Sequence, residues 1–251
     1  MTPAVSVIIP TYNRWPMVGA AVDSVLAQSY SDFELIVIDD GSTDGTAEKL
    51  ACYGSRLRVF RQANRGVSAA RNFAVSRACG RYLAFLDSDD LWQPRKLEIQ
   101  TQFMDRNPEV QICQTEEIWI RHGIRVNPKN RHRKPSGDIF LPSLDLCLVS
   151  PSAVMLTREL FQKTGGFDEN LRVCEDYDLW LRIALEHSVP LIVEPLVIKH
   201  GGHADQLSRS VWAMDRYRVL ALQKLLRAEL SGIRRDAVLA VLARKVALLA
   251  A

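Results

Sequence analysis

Apolar and polar positions in the first 110 residues switch between two periods. Four short runs, AVSVIIP (4–10), FELIVID (33–39), LRVF (57–60) and RYLAFLD (81–87), are β-branched and mostly apolar, and they read as buried strands. Between them the apolar spacing lengthens to three and four. The segment from Asn13 sets Val18, Ala21, Val22, Val25 and Leu26 on one helical face, with Pro16 in the first turn. A second helix follows a cap at Ser42 or Thr43, and a third runs from about Ser68 to Ala78 and stops at Gly80. Strand and helix in alternation predict a largely parallel α/β sheet covered on both faces.

The later pattern is less regular. A helix over about 94–106 and a strand near 110–120 lead to RHGIRVNPKNRHRKPSG (121–137), which holds six Lys or Arg and no acid and reads as a mobile loop. SAVMLT (152–157) and LIVE (191–194) read as strands around a short helix, RELFQKTG, and a loop feeding a longer helix within GGFDENLRVCEDYDLWLRIALEHS. From about Gln206 the chain reads as two helices, the last amphipathic. The expected organisation is an α/β domain over 1–205, in halves 1–107 and 108–205, and a C-terminal helical extension over 206–251.

Composition narrows the classes. With 251 residues, 47% of them hydrophobic, the chain can bury a substantial core, and a net charge of +3 does not make it a global polyanion binder. Its five cysteines are odd in number and lack a CxxC pair, which fits neither a disulfide framework nor a zinc site and suits a reducing cytoplasm. No signal peptide is expected ahead of VSVIIPTYN, and no run of 18 apolar residues predicts a membrane span. The basic segment lacks interleaved aromatics, so no nucleic acid is expected as a partner.

Candidate chemistry gathers where the strands end, which is where open sheets of this kind bind ligands. Thr11, Tyr12 and Asn13 follow the first strand, Asp39 and Asp40 the second, and Asp87, Asp89 and Asp90 the fourth. Carboxylates this crowded repel one another unless a divalent ion, an arginine cluster or solvent offsets their charge. An extended strand end would aim Asp87 and Asp89 to one side and Ser88 away, and hard oxygen ligands suit Mg²⁺ or Mn²⁺. The plainer reading is a solvated turn in which Asp90 caps the next helix.

IDDGSTDG (38–45) begins like a calcium loop, but the twelfth position from Asp40 is Ala51, where a bidentate Glu is required. Ser42 and Asp40 instead read as caps of backbone N–H groups, while Asp39 could accept from a nucleobase imide or a ribose hydroxyl. Glu175 and Asp176 open a helix, where the dipole favours acids, and an acidic pair after a Gly-rich loop also suits a general base at a cleft edge. His203, close to Asp205, reads as a structural histidine or as a ligand of a metal or diphosphate.

Six ordered blocks, VSVIIPTYNR, FELIVIDDGSTDGT, NRGVSAARNFA, YLAFLDSDDLWQPRKLE, GGFDENLRVCEDYDLWLRIA and GGHADQLSRS, resemble the family 2 glycosyltransferases of GT-A fold over about residues 4–210. The resemblance implies a Rossmann-like mixed, mainly parallel sheet flanked by helices, with 1–107 the nucleotide-binding half and 108–205 the acceptor-side half. It implies a nucleoside-diphosphate sugar donor, UDP favoured, and a glycan or lipid-linked acceptor. Pro10, Thr11 and Tyr12 would contact the base, Asp39 would bond its edge, and Arg71 would reach base or diphosphate, with Arg14, Asp87 and Ser88 completing the nucleotide set. Asp87, Asp89 and His203 would hold Mn²⁺ or Mg²⁺, and Asp176, beside Glu175, would be the base of an inverting transfer.

The sequence has no QxxRW block and no GxGxR segment after its first strand, which favours single-sugar transfer over processive synthesis and over nucleotidyl transfer. The basic last helix suits peripheral association with the inner face of a membrane, packing onto the domain, or a homo-oligomer through the C-terminal helices. A non-catalytic nucleotide-sugar-binding or scaffolding subunit of the same fold is the rival reading; the intact Asp87, Asp89 and Asp176 speak against it.

Overall fold

The computed structural model describes residues 2–127, 132–202, 214–228, 230 and 232–250. Strand β1 (Val5–Thr11) is buried at every position and β2 (Phe33–Asp39) from Leu35 onward, as strands covered on both faces must be. β1 runs parallel to β2 on one side and to β4 (Tyr82–Phe85) on the other, and β3 (Arg58–Arg61) extends the parallel set beyond β2. Thr11 lies opposite Asp39, and Ile8 opposite Phe85, so the three tails emerge on one edge.

Beyond β4 the sheet becomes mixed. β8 (Val154–Thr157) joins β4 antiparallel, and β6 (Ile112–Arg121) joins β8 antiparallel. β9 (Leu191–Gly201) lies parallel to β6, and β5 (Leu91–Trp92), absent from the sequence reading, closes the edge antiparallel to β9. Among the described residues the sheet has nine strands, in the order β3-β2-β1-β4-β8-β6-β9-β5, with β7 (Ile124–Val126) paired to β6. The hairpin of β6 and β7 corrects the reading of 121–137 as loop throughout: Trp119, Ile120 and Arg121 find partners in Val126, Arg125 and Ile124. Lys134, expected in that loop, is buried against Glu117 at 3.1 Å.

Side chains alternate across the sheet into two cores. Ile8, Ile36, Ile38, Leu83 and Phe85 face helices α3 (Val67–Arg77), α6 (Arg158–Thr164) and α7 (Glu175–Ala184), while Val7, Ile9, Val37 and Ala84 face α1 (Met17–Leu26) and α4 (Lys96–Arg106). A single turn, α5 (Phe140–Ser143), and α8 (Asp215–Leu225) pack with the first group, and Val238 of α9 (Gly232–Ala250) reaches the same core. The C-terminal helices therefore pack back onto the α/β body, and Lys245 reaches Asp215 at 2.9 Å.

Two helix starts differ from the sequence reading, for one reason. Asn13 takes a left-handed φ of 50°, its N–H donates to Ser42 Oγ at 2.8 Å, and its side-chain oxygen accepts from Thr43 N–H at 2.7 Å. These bonds staple the tails of β1 and β2, so α1 begins after Pro16 and α2 (Thr46–Ala51) begins after Gly45 without a Ser42 or Thr43 cap.

Lys96 carries a testable cost of burial. Its amine is fully buried, 3.9 Å from the Trp92 ring centre and 2.5 Å from Gln100 Oε1, and burial lowers it from 10.5 to about 7. The unfolded chain keeps this proton up to about pH 10.5, so folding is penalised most below pH 7 and the penalty fades as pH rises from about 7 to 10.5. Lys96→Met should remove that rise and leave a protein at least as stable as wild type at pH 7. Thermal melts from pH 6 to 10 check it; an unchanged slope in the variant would refute the assignment.

Candidate active site

The tails of β1 and β2 leave polar atoms buried without a hydrogen bond. Asp39 is fully buried; its Oδ1 accepts the Ser42 N–H at 2.8 Å, while Oδ2 lies 3.4 Å from Arg61 Nε and makes no hydrogen bond. Thr11 Oγ1 and Ser68 Oγ, in the first turn of α3, are likewise buried without a partner. Native interiors rarely strand such groups, so an arrangement of this kind suits a bound polar ligand. Pro10 is buried within β1 and Tyr12 stands 47% exposed just beyond it. Asp40 does what its capping reading requires, at a different turn: its carboxylate accepts from the Gln62 amide at 2.7 Å and from the N–H groups of Arg65 and Gly66 at 3.0 and 2.8 Å, which fixes the start of α3.

The crowded carboxylates after β4 are met by protein cations. Arg71, 3% exposed, bonds Asp87 Oδ1 at 2.6 Å through one terminal nitrogen and Glu175 Oε1 at 2.7 Å through the other. Arg14 reaches Asp89 Oδ2 at 3.2 Å. The chain is not extended here: Asp90 N–H donates to Asp87 O at 3.0 Å, so Asp87 to Asp90 form a turn and the expected i, i+2 alignment of Asp87 and Asp89 on a strand does not hold. Both remain partly exposed, at 27% and 18% of their side chains, and Ser88 between them is buried.

Asp90 is no solvated cap. It is buried, accepts from Ser152 Oγ at 2.7 Å and from His200 N–H at 3.0 Å, and precedes β5 rather than a helix. Burial, with Asp89 and Asp87 adding to it, raises its carboxyl well above the ordinary range against the pull of Lys199. Lys199 is the residue the sequence reading missed. Its half-buried side chain donates to Ser150 Oγ at 3.0 Å; desolvation works against its charge, but Glu117, Asp90, Asp87 and Asp176 outweigh it and the proton is held more tightly than on an exposed lysine. A lone lysine interrupting the apolar run LVIKH was the available signal.

The two acids at the start of α7 diverge. Burial and the charge of Asp176 push Glu175 up to about 7 in spite of its Arg71 partner. Asp176 is more open; Oδ1 accepts the Tyr177 N–H at 2.7 Å and Oδ2 accepts from the Cys147 thiol at 3.5 Å. Arg71 thus links the end of β4 to the start of α7, and Asn13 and Arg14 link the tail of β1 to those of β2 and β4. These contacts link the tails of β1, β2 and β4, which bear Thr11, Tyr12, Asp39, Asp87 and Asp89, and tie the last of them to the helix start that bears Asp176. His203 lies outside the described residues.

This arrangement has relatives. Residues 6–165 match the family described as Glycosyl transferase family 2, and the chain belongs to that family. It is 49% identical over 186 residues to a putative teichuronic acid biosynthesis glycosyltransferase, TuaG, of Bacillus subtilis, covering 72% of each chain. It is 34% identical over 190 residues to WfgD of Escherichia coli, named UDP-Glc:alpha-D-GlcNAc-diphosphoundecaprenol beta-1,3-glucosyltransferase, covering 75% of this chain and 72% of that one. The match to an uncharacterized glycosyltransferase of Rickettsia felis is 38% identical and covers 74% of this chain but 31% of the larger protein, so the chain spans about a third of that relative.

Among solved structures, S. aureus TarS 1-349 in complex with UDP-GlcNAc superposes with a TM-score of 0.78 at 22% identity, over 96% of this chain and 72% of that one. The mannosyltransferase PcManGT from Pyrobaculum calidifontis, in complex with GDP-Man and Mn²⁺, gives 0.68 at 22% identity, over 100% and 75%. The fold is GT-A: a mixed sheet whose parallel ladders are the longest, flanked by helices.

Proposed function

We propose that the protein is a metal-dependent inverting glycosyltransferase that moves one sugar from a nucleoside-diphosphate donor, UDP-linked by preference, to a hydroxyl of a glycan or lipid-linked acceptor. The observation that carries this reading is the Asp87–Arg71–Glu175 bridge, which holds the acidic strand end against the helix start that bears Asp176. Asp39 Oδ2 and Thr11 Oγ1, buried without a hydrogen bond, and the open ring of Tyr12 support a nucleoside end here; in this reading Arg14 meets the diphosphate and Arg71 holds Asp87 beside it. The name of WfgD and the UDP-GlcNAc complex of TarS support a UDP-sugar donor, and the name of WfgD supports a lipid-linked acceptor. Among the described residues no helix is long and apolar enough to cross a membrane.

Asp87 and Asp89 would hold a divalent ion through hard, partly exposed carboxylate oxygens; both are held here by Arg71 and Arg14, and among the described residues no group of three or more acidic, His or Cys side chains gathers to hold a metal, so the rest of the shell would come from water and phosphate. When bound, the ion neutralises the pyrophosphate and eases its departure. The protein's own part is proton transfer and placement. Asp176 takes the proton of the acceptor hydroxyl as that oxygen attacks the anomeric carbon from the face opposite the nucleoside diphosphate. The bond to the leaving phosphate oxygen breaks in the same displacement, so an α-linked donor gives a β-glycoside.

The test is a thermal-shift screen of UDP-, GDP- and dTDP-sugars with and without Mn²⁺. A donor at about 100 times its Kd stabilises the native state by about 2.7 kcal/mol, which should raise the midpoint by about 5 °C or more. The shift should need Mn²⁺ and be accompanied by slow donor hydrolysis. Binding without hydrolysis would favour a non-catalytic subunit, and an equal shift without the ion would refute metal dependence.

A further inference from the structure

We propose that Cys147 is a positioning residue for Asp176: its S–H donates to Oδ2 and fixes the plane in which that carboxylate meets the acceptor hydroxyl. This rests on the reading of Asp176 as the base. Cys147 lies between α5 and the Pro151–Ala153 turn, with its sulfur 3.5 Å from Asp176 Oδ2 and 3.2 Å from Val149 O, so its one proton has two acceptors, the carboxylate and that carbonyl. The Tyr177 N–H holds Oδ1 from the helix side at 2.7 Å, so each oxygen of Asp176 is tied from a different element. A carboxylate offers about four lone-pair sites, and two donors leave room for a substrate proton.

The charged and titratable groups around Asp176 come from three elements. Cys147 faces it from the 144–150 segment, Lys199 from β9, and Cys174 and Glu175 from the entry of its own helix. Lys199 is tethered to Ser150 and acts as counter-charge; the side chain that reaches Oδ2 is the Cys147 thiol. Burial first, and then the charge of Asp176, keep the Cys147 proton in place well above the ordinary thiol range, so the sulfur remains a donor across neutral pH. A thiol is also a weak donor at long reach. It orients the carboxylate without occupying it as closely as a hydroxyl at short distance would.

The test compares Cys147→Ala, Cys147→Ser and Asp176→Asn as hydrolases of the UDP-sugar selected by the thermal screen, with Mn²⁺, water serving as acceptor. Loss of orientation should lower kcat of Cys147→Ala by about tenfold, while donor KM stays within about twofold. Cys147→Ser, whose hydroxyl can donate in the thiol's place, should recover most of the loss. Wild-type kcat in Cys147→Ala, with Asp176→Asn inactive, would overturn this inference alone. An active Asp176→Asn would overturn the base assignment and this inference with it. Equal losses in both cysteine variants would mark a packing role and also overturn it; if Cys147→Ala does not fold, Cys147→Ser decides, a folded variant with less than about a tenth of the wild-type kcat counting against the inference.

Discussion

Asp176→Asn should lower sugar transfer by about 10³-fold and leave donor affinity within about twofold, because general-base catalysis contributes roughly 10²–10⁴ and the donor is held elsewhere. Asn has the shape of Asp, and its amide oxygen can still accept the Tyr177 N–H that Oδ1 accepts in the wild type. What the variant lacks is a basic oxygen. Glu175 is no substitute, since its carboxylate is buried and bound to Arg71 at 2.7 Å on the other side of the helix start. Removing the charge of Asp176 lifts one of the two influences that push Glu175 up to about 7, so Glu175 ionises at lower pH in the variant and binds Arg71 more firmly. The measurement is kcat and KM for transfer beside a titration with UDP. Retention of more than a tenth of the wild-type rate would remove Asp176 from the role of base.

Much of the nucleotide half was legible because its signals are local. An apolar strand followed by a polar residue is visible within seven positions, as in FELIVID, and the register of Thr11 opposite Asp39 follows once both strands are parallel neighbours. Asp39 could be singled out on that ground; its carboxylate is buried, with Oδ2 3.4 Å from Arg61 Nε and without a hydrogen bond. The acidic cluster was legible as a problem of charge, but not in its resolution. Which cation answers Asp87 depends on Arg71, 16 residues before it, and on Glu175, 104 residues from Arg71, meeting at one point. The turn at Asp87 to Asp90 depends on Ser152 and His200, 62 and 110 positions from Asp90.

Helix starts failed for a similar reason. Propensity made Ser42 and Thr43 ordinary caps, and only the close approach of the β1 and β2 tails turns them toward Asn13. Lys199 hid because a single lysine in an apolar strand has no periodic signature. Its meaning comes from carboxylates contributed by β6, the β4 turn and α7.

Arg71→Met should cost about 3–5 kcal/mol of stability, because removing one partner of a buried ionic cluster leaves the others uncompensated. For a chain of this size that is a fall in midpoint of about 10 °C. The guanidinium is 3% exposed and joins Asp87 to Glu175 with one nitrogen for each, which a lysine cannot reproduce, so Arg71→Lys should recover only part of the loss. The pH dependence gives the prediction its sign. Glu175 already sits above its ordinary value of 4.5, at about 7, and without Arg71 it moves higher still. A carboxyl raised by folding favours the native state most below its unfolded pKa and progressively less as pH rises to its folded one. The deficit of Arg71→Met should therefore be largest above pH 7 and narrow towards pH 5, where Glu175 is protonated. Activity separates this variant from Asp176→Asn: with the bridge gone, Asp87 and α7 lose their common anchor, and donor binding and transfer should fall together. Melts at pH 5, 7 and 8 beside a UDP titration decide the matter, and a pH-independent deficit with unaltered UDP affinity would mean that Arg71 neither neutralises Glu175 nor holds the donor site in register.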